Sequence, residues 1–113
     1  MKTTKASVEY ELKGDLDGKA TVEYLMFYSH ADEKNPHNST ATYIGLIRFE
    51  GKLGGRAGSF VMKDVGTFEA SVANSTLTIL DGSGTEELKG IAGTGKYLAD
   101  REAARMEVEY QMQ

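Results

Sequence analysis

Residues 40–69 read TATYIGLIRFEGKLGGRAGSFVMKDVGTFE, and this stretch decides the fold. Before Gly54-Gly55, Tyr43, Gly45, Ile47 and Phe49 alternate with Arg48 and Glu50. After it, Phe60, Met62, Asp64, Gly66 and Phe68 alternate with Lys63 and Glu69. A period of two is the period of a strand, whose successive side chains point to opposite faces. A Gly-Gly pair between two such runs predicts a hairpin, because both central residues of the tightest turns need positive φ. Residues 40–53 and 57–69 are therefore expected to pair as antiparallel neighbours.

The same alternation extends outward in both directions. It predicts strands over 6–13, 19–29, 72–80, 94–100 and 105–112. The turn GDLDG follows the first of these, and the polar loop HADEKNPHN, residues 30–38, follows the second. The segment DGSGTEELKGIAG crosses to the sixth strand, and a short helical turn is expected within 85–91. Thirteen Gly and a single Pro fit many strands joined by turns. Most connections are short, which suits an antiparallel meander. The expected fold is all-β, an antiparallel up-and-down barrel of about seven to eight strands. Residues 1–113 are read as a single domain, since cores of roughly 100–150 residues do not need to split.

Parity assigns each strand residue to a face. All six Tyr fall on one side (Tyr10, Tyr24, Tyr28, Tyr43, Tyr97 and Tyr110). Phe49, Phe60 and Phe68 join them, as do Met26, Met62, Met106 and Met112. The opposite parity carries Glu9, Glu11, Glu23, Arg48, Glu50, Lys63, Glu69, Glu107 and Glu109. A barrel of about eight strands has room for side chains or for one small ligand. Tyrosine hydroxyls aimed at a common centre need partners, and a bound molecule can supply them. An ordinary wet core is the other reading of the same parity. The expected ligand-binding residues are Tyr10, Met26, Tyr28, Phe49, Phe60, Met62, Phe68, Met106 and Tyr110.

Asp64 is the single acid on the inward parity. Desolvation would raise its pKa and suit it to proton transfer near neutral pH. Tyr24, Tyr43 and Tyr97 are candidates to steady developing oxyanion charge beside it. Two structural readings compete: a bulge at Gly66 that turns Asp64 outward, or an Asp64 at the barrel mouth bonded to a Tyr.

The outward face is not uniformly polar. Leu25, Phe27, Ile44 and Leu46 form an apolar cross-strand patch, with Glu23 and Arg48 placed to pair beside it. Patches of this kind mark a partner or a second subunit, so a homo-oligomer is expected.

Composition excludes several classes. Hydrophobic residues make up 40% and charged residues 27%, as in a folded globule rather than a disordered segment. Thirteen Lys+Arg against seventeen Asp+Glu give a net charge of −4, which argues against nucleic acid or an anionic membrane as partner. With no Cys there is no disulfide, thiolate metal site or cysteine nucleophile. No apolar run approaches the ~20 residues of a membrane span, and the opening residues do not read as a signal peptide. A cytoplasmic location is the default expectation.

Several motifs tempt and fail. Gly90-Ile91-Ala92-Gly93-Thr94-Gly95-Lys96 has phosphate-loop spacing, but Tyr97 stands where Ser or Thr is required and a strand is expected to follow. Asp15-Leu16-Asp17-Gly18 begins like a calcium loop yet lacks the closing Glu. His30, Asp32, Glu33 and His37 share a loop at unspecific spacing, and no metal is assigned. Asn38-Ser39-Thr40 and Asn74-Ser75-Thr76 match sequons, but nothing else suggests secretion. No catalytic triad, nucleophile elbow or dinucleotide fingerprint is present.

A set of local motifs resembles a bacterial family labelled domain of unknown function 3224 (DUF3224). These are Glu23-Tyr24-Leu25-Met26, Arg48-Phe49, Leu53-Gly54-Gly55-Arg56 with Gly58-Ser59-Phe60-Val61, Gly66-Thr67-Phe68, and Gly82-Ser83-Gly84-Thr85 through Leu88-Lys89-Gly90. The resemblance runs from about Ala6 to the C-terminus. It implies an allene-oxide-cyclase-like barrel, a closed antiparallel meander shared with plant allene oxide cyclases and dirigent proteins. Those proteins guide apolar intermediates inside the cavity without metal or organic cofactor, so no cofactor is expected here. Members usually have one further strand before the region matching Ala6. Without it the barrel would stay open between its first and last strands, to be covered by another chain or an extra pairing. Relatives often carry His where Asp64 stands, which the resemblance reads as an inward functional position.

The expected function is binding of a small apolar molecule in the barrel cavity, with cofactor-independent isomerase, cyclase or lyase chemistry as the catalytic reading. The alternatives are a non-catalytic ligand carrier and a structural or oligomerisation module.

Overall fold

A computed structural model describes residues 2–30, 40–100 and 102–112. Seven strands follow one another: β1 Lys2–Leu12, β2 Leu16–His30, β3 Thr40–Leu53, β4 Arg56–Glu69, β5 Val72–Ile79, β6 Ile91–Ala99 and β7 Ala104–Met112. They form one antiparallel sheet in sequence order, each strand paired with the next. The β3–β4 hairpin turns on Gly54 and Gly55, at φ 58° and 85°, and its register runs unbroken from Ala41↔Phe68 to Leu53↔Arg56. No bulge occurs at Gly66, so Asp64 keeps its inward parity; the shift in register lies at Tyr28/His30 instead.

The concave face holds the core. Val22, Ile47, Met62 and Ile79 form one cross-strand row, and Ala20, Phe49 and Phe60 the next. All seven are essentially inaccessible to solvent. Phe49 and Phe60 stack obliquely with ring centroids 5.2 Å apart. Such aromatic pairs contribute about 0.5–1.5 kcal/mol beyond the area they bury.

The crossover after β5 covers the stretch of β4 that β5 leaves unpaired. Thr85 and Ser83 act as surrogate strand partners for β4. The Ser59 amide donates to Thr85 Oγ1 at 3.0 Å, the Val61 amide donates to Ser83 Oγ at 3.1 Å, and the Ser83 hydroxyl donates to the Leu80 carbonyl at 2.6 Å. The expected helical turn is a single 3₁₀ turn over Glu86–Leu88, which drives Leu88 into the core. At the β6–β7 turn the Asp100 carboxylate accepts the amides of Glu102 and Ala103 at 2.8 and 2.9 Å, and these bonds hold its pKa below the usual value.

The sheet does not close. Among the described residues no hydrogen bonding joins β1 to β7, so the structure is a curled, barrel-like sheet with two free edges rather than a sealed barrel. No extra pairing that would seal it occurs among the described residues. Strand limits also move. β1 starts before the expected residue 6, and β6 starts at Ile91 because Ile91↔Met112 and Ala92↔Gln111 pair across a stretch whose glycines read as loop. Gly90–Lys96 therefore enters a strand, with no helix to receive a phosphate. Leu16 and Asp17 belong to β2 rather than to a calcium loop. Glu23 does not pair with Arg48: it sits opposite Leu46, while Arg48 donates to Glu50 on its own strand at 2.9 Å. The His30–His37 cluster and the first sequon fall in or beside the region outside the described residues, and no metal-competent cluster occurs among the described residues.

Candidate functional site

Above the packed rows the concave face changes character. One row reads Met26, Tyr43, Gly66, Ser75, Tyr97 and Met106 across β2 to β7. The row beneath it reads Tyr24, Gly45, Asp64, Leu77, Gly95 and Val108. Tyrosines alternate with glycines here because large rings leave room only for a missing side chain beside them. The result is a pocket of about 190 Å³ lined by Val8, Tyr10, Tyr24, Met26, Tyr43, Phe68, Ala73 and Tyr97.

Hydroxyls ring an otherwise apolar space. Tyr10 and Tyr24 share a hydrogen bond, 3.3 Å between their oxygens. Tyr43 shares one with Ser75, and its ring meets that of Tyr24 edge-on at 5.2 Å. Tyr97 and Tyr10 pack with centroids 6.3 Å apart. Burial raises the pKa of Tyr24 and of Tyr97, and the neighbouring Tyr10 adds to both shifts. Burial raises that of Tyr43 as well, partly offset by Ser75. These phenols are therefore neutral hydrogen-bond donors at any ordinary pH, not bases.

Asp64 lies beneath this layer. It is 1% exposed, and neither carboxylate oxygen has a hydrogen-bond partner. Desolvation raises its pKa; the nearby hydroxyls of Ser75 and Tyr24 offset part of that rise without reaching regular hydrogen-bond geometry. An unpaired buried carboxylate is costly, so the neutral acid is favoured, which carries a proton it can donate. Asp64 does not line the pocket. Tyr24 and Tyr43 do, and both lie close enough for an ionised Asp64 to raise their pKa values further.

The expected site residues thus separate by height along the strands. Tyr10, Tyr24, Met26, Tyr43, Phe68 and Tyr97 come together at the pocket. Phe49, Phe60 and Met62 do not: they are fully buried in the packed rows below it. Tyr28 lies outside the lining and donates its hydroxyl to Met26 Sδ at 4.0 Å. Met106 and Tyr110 border a second space, an open groove of about 790 Å³ between the free edges of β1 and β7. Tyr110 is 42% exposed there, as an edge strand leaves it. Ala73 and Ser75 were missed. They share the parity of Leu77 and Ile79, and only their small or polar side chains hid them.

Tyr10 and Tyr97 border both the groove and the pocket, so the seam leads to the hydroxyl layer. The fold and site together define a curled antiparallel meander with a small tyrosine-rimmed pocket on its concave face. The chain matches the family described as protein of unknown function (DUF3224) over residues 1–110, and it belongs to that family. A crystal structure of a DUF3224-family protein of unknown function from Shewanella oneidensis MR-1 superposes with a TM-score of 0.77 at 21% identity, covering 98% of this chain and 78% of the other. That likeness establishes the shared fold. No curated protein matches the chain. No helix among the described residues is long and apolar enough to cross a membrane.

Proposed function

We propose that this protein binds a compact, largely apolar molecule carrying one oxygen acceptor, and that Asp64 serves as the proton reservoir for cofactor-independent isomerisation, cyclisation or elimination of it. The observation that carries this reading is Asp64 itself: a fully buried carboxyl without a partner, placed under a layer of tyrosine hydroxyls. Nothing in packing alone requires an acid there, and a partnerless buried polar group costs roughly 1–3 kcal/mol. The pocket is smaller than the ~300–1,000 Å³ of drug-sized sites, which selects a compact ligand or one compact end of a longer one. Its donors suit a carbonyl or a developing enolate oxygen, with Tyr24 and Tyr97 donating to it. Tyr24 lines the pocket and shares a cross-strand row with Asp64; as its hydroxyl gives its proton to the ligand oxygen it takes one from Asp64, and the carboxylate so formed is the base that receives the α-carbon proton back through the same hydroxyl, restoring the starting acid.

A carrier without turnover is the second reading, favoured by the absence of Asp64 from the pocket wall. Cyclohexanone and methylcyclohexane separate the possibilities. Amide NMR shifts should report cyclohexanone bound at β2–β5 and methylcyclohexane bound more weakly. In D₂O the protein should accelerate deuterium exchange at the α-carbon of cyclohexanone, and Asp64→Asn should abolish the exchange while binding persists. Binding without exchange in the wild type leaves the carrier; no binding of either probe removes the pocket as a site. Native mass spectrometry of protein from its own host reads any co-purifying molecule directly.

A further inference from the structure

The convex face carries an apolar patch that the pocket does not explain. Leu25, Ile44 and Val65 lie in one cross-strand row over β2, β3 and β4, and each is 40% or more exposed. Leu46, 52% exposed, sits in the adjoining row between Glu23 on β2 and Lys63 on β4. Phe27 extends the patch on β2. A soluble chain rarely leaves five large apolar side chains contiguous on one sheet face unless something covers them.

We infer that the cover is a second copy of this chain, docked face to face about a two-fold axis running along β3. The charges of one row favour that partner and that axis; Arg48 and Glu50 of β3 also fall on the axis, and each is answered there by the other on its own strand. In the row Glu23–Leu46–Lys63 an acid and a base flank an apolar centre. Rotation about an axis along β3 exchanges β2 with β4. It places Glu23 of each copy opposite Lys63 of the other, so one row yields two complementary pairs. The same operation sets Leu25 against Val65, and Ile44 and Leu46 against themselves. Self-complementarity of this kind is what an isologous interface requires. A two-fold axis across the strands would not match acid to base within the row.

The patch spans three strands about 4.8 Å apart and about five residues of about 3.4 Å each, on the order of 250 Å² per copy. Two copies then bury about 500 Å² of it, the size of a weak, concentration-dependent contact that the flanking charge pairs complete. Sheets packed this way cross at about 30°, so the rows nearest the axis make the closest contact.

Sedimentation velocity on the full chain tests this, with far-UV circular dichroism checking that each variant stays folded. The wild type should sediment as a dimer at tens of micromolar. Leu46→Asp should raise the dissociation constant at least a hundredfold. Glu23→Lys and Lys63→Glu should each raise it about tenfold by setting like charges together, and the double swap should restore it to near the wild-type value. A monomeric wild type overturns the inference. So does a dimer that neither single swap weakens, or one in which the double variant is no tighter than the singles. All three positions face away from the pocket, so cyclohexanone binding serves as an independent readout.

Discussion

The ring of Tyr24 lies directly over Gly45: one of its δ-carbons is 2.9 Å from where a β-carbon on Gly45 would stand. Tyr24 and Gly45 are also cross-strand partners. The glycine therefore lets the ring lie flat across β3 toward Asp64. Gly45→Ala should destabilise the protein by about 1–3 kcal/mol, because the added methyl meets both this ring and the Glu23 carbonyl. Thermal unfolding reads the loss. The same variant should weaken cyclohexanone binding, since Tyr24 must leave its place beside Tyr10.

Asp64 makes stability fall as pH rises. Its unfolded carboxyl has the ordinary value of 3.8, and desolvation raises the folded one. Between those two values the folded protein holds a proton that the unfolded chain has lost, so stability declines with increasing pH through that window and levels off above it. Asp64→Asn removes the dependence. The variant should match the wild type near pH 3.5 and exceed it by about 1–3 kcal/mol at neutral pH, a difference visible in melting curves across a pH series. A gap that is constant with pH would mean Asp64 is ionised at its ease in the folded state.

Tyr43 and Ser75 share a buried hydrogen bond. Ser75→Ala should cost about 1–2 kcal/mol by orphaning the phenol, whereas Tyr43→Phe combined with Ser75→Ala should cost less than the two single changes summed. A double-mutant cycle by urea denaturation gives the coupling. Burial keeps the phenol neutral in either background, so the coupling should not change between pH 6 and pH 9.

The β4–β5 hairpin turns on Ala70 and Ser71 at φ 51° and 67°. Glycine or asparagine is the usual choice where φ is positive, and other residues lose roughly 1–2 kcal/mol in this region. Ala70→Asn should stabilise the protein by about 0.5–1 kcal/mol without affecting ligand binding, measured by chemical denaturation alongside the cyclohexanone titration.

The face of each side chain was legible from sequence because alternation is a local property: Tyr24, Tyr43, Asp64 and Phe68 were placed inward by parity alone. Height along the strand was not. Whether an inward residue packs in the core, as Phe49 and Met62 do, or borders the pocket, as Tyr97 does, depends on register between strands distant in sequence. The start of β6 was hidden for a similar reason. Ile91 and Ala92 lie among glycines, and only pairing with β7 makes them a strand. Asp64 was singled out correctly as an inward acid, but nothing local to β4 says that tyrosines from β2 and β3 would roof it over.

The free edges of β1 and β7 give the molecule a slit along its flank instead of a mouth at its end. Parting them breaks no backbone ladder, only side-chain packing such as Tyr10 against Tyr97. Under the proposed function, such a clasp would grip the head of a long guest while its tail trailed sideways into water, so the pocket's volume would limit the gripped portion and set no bound on the length of the whole.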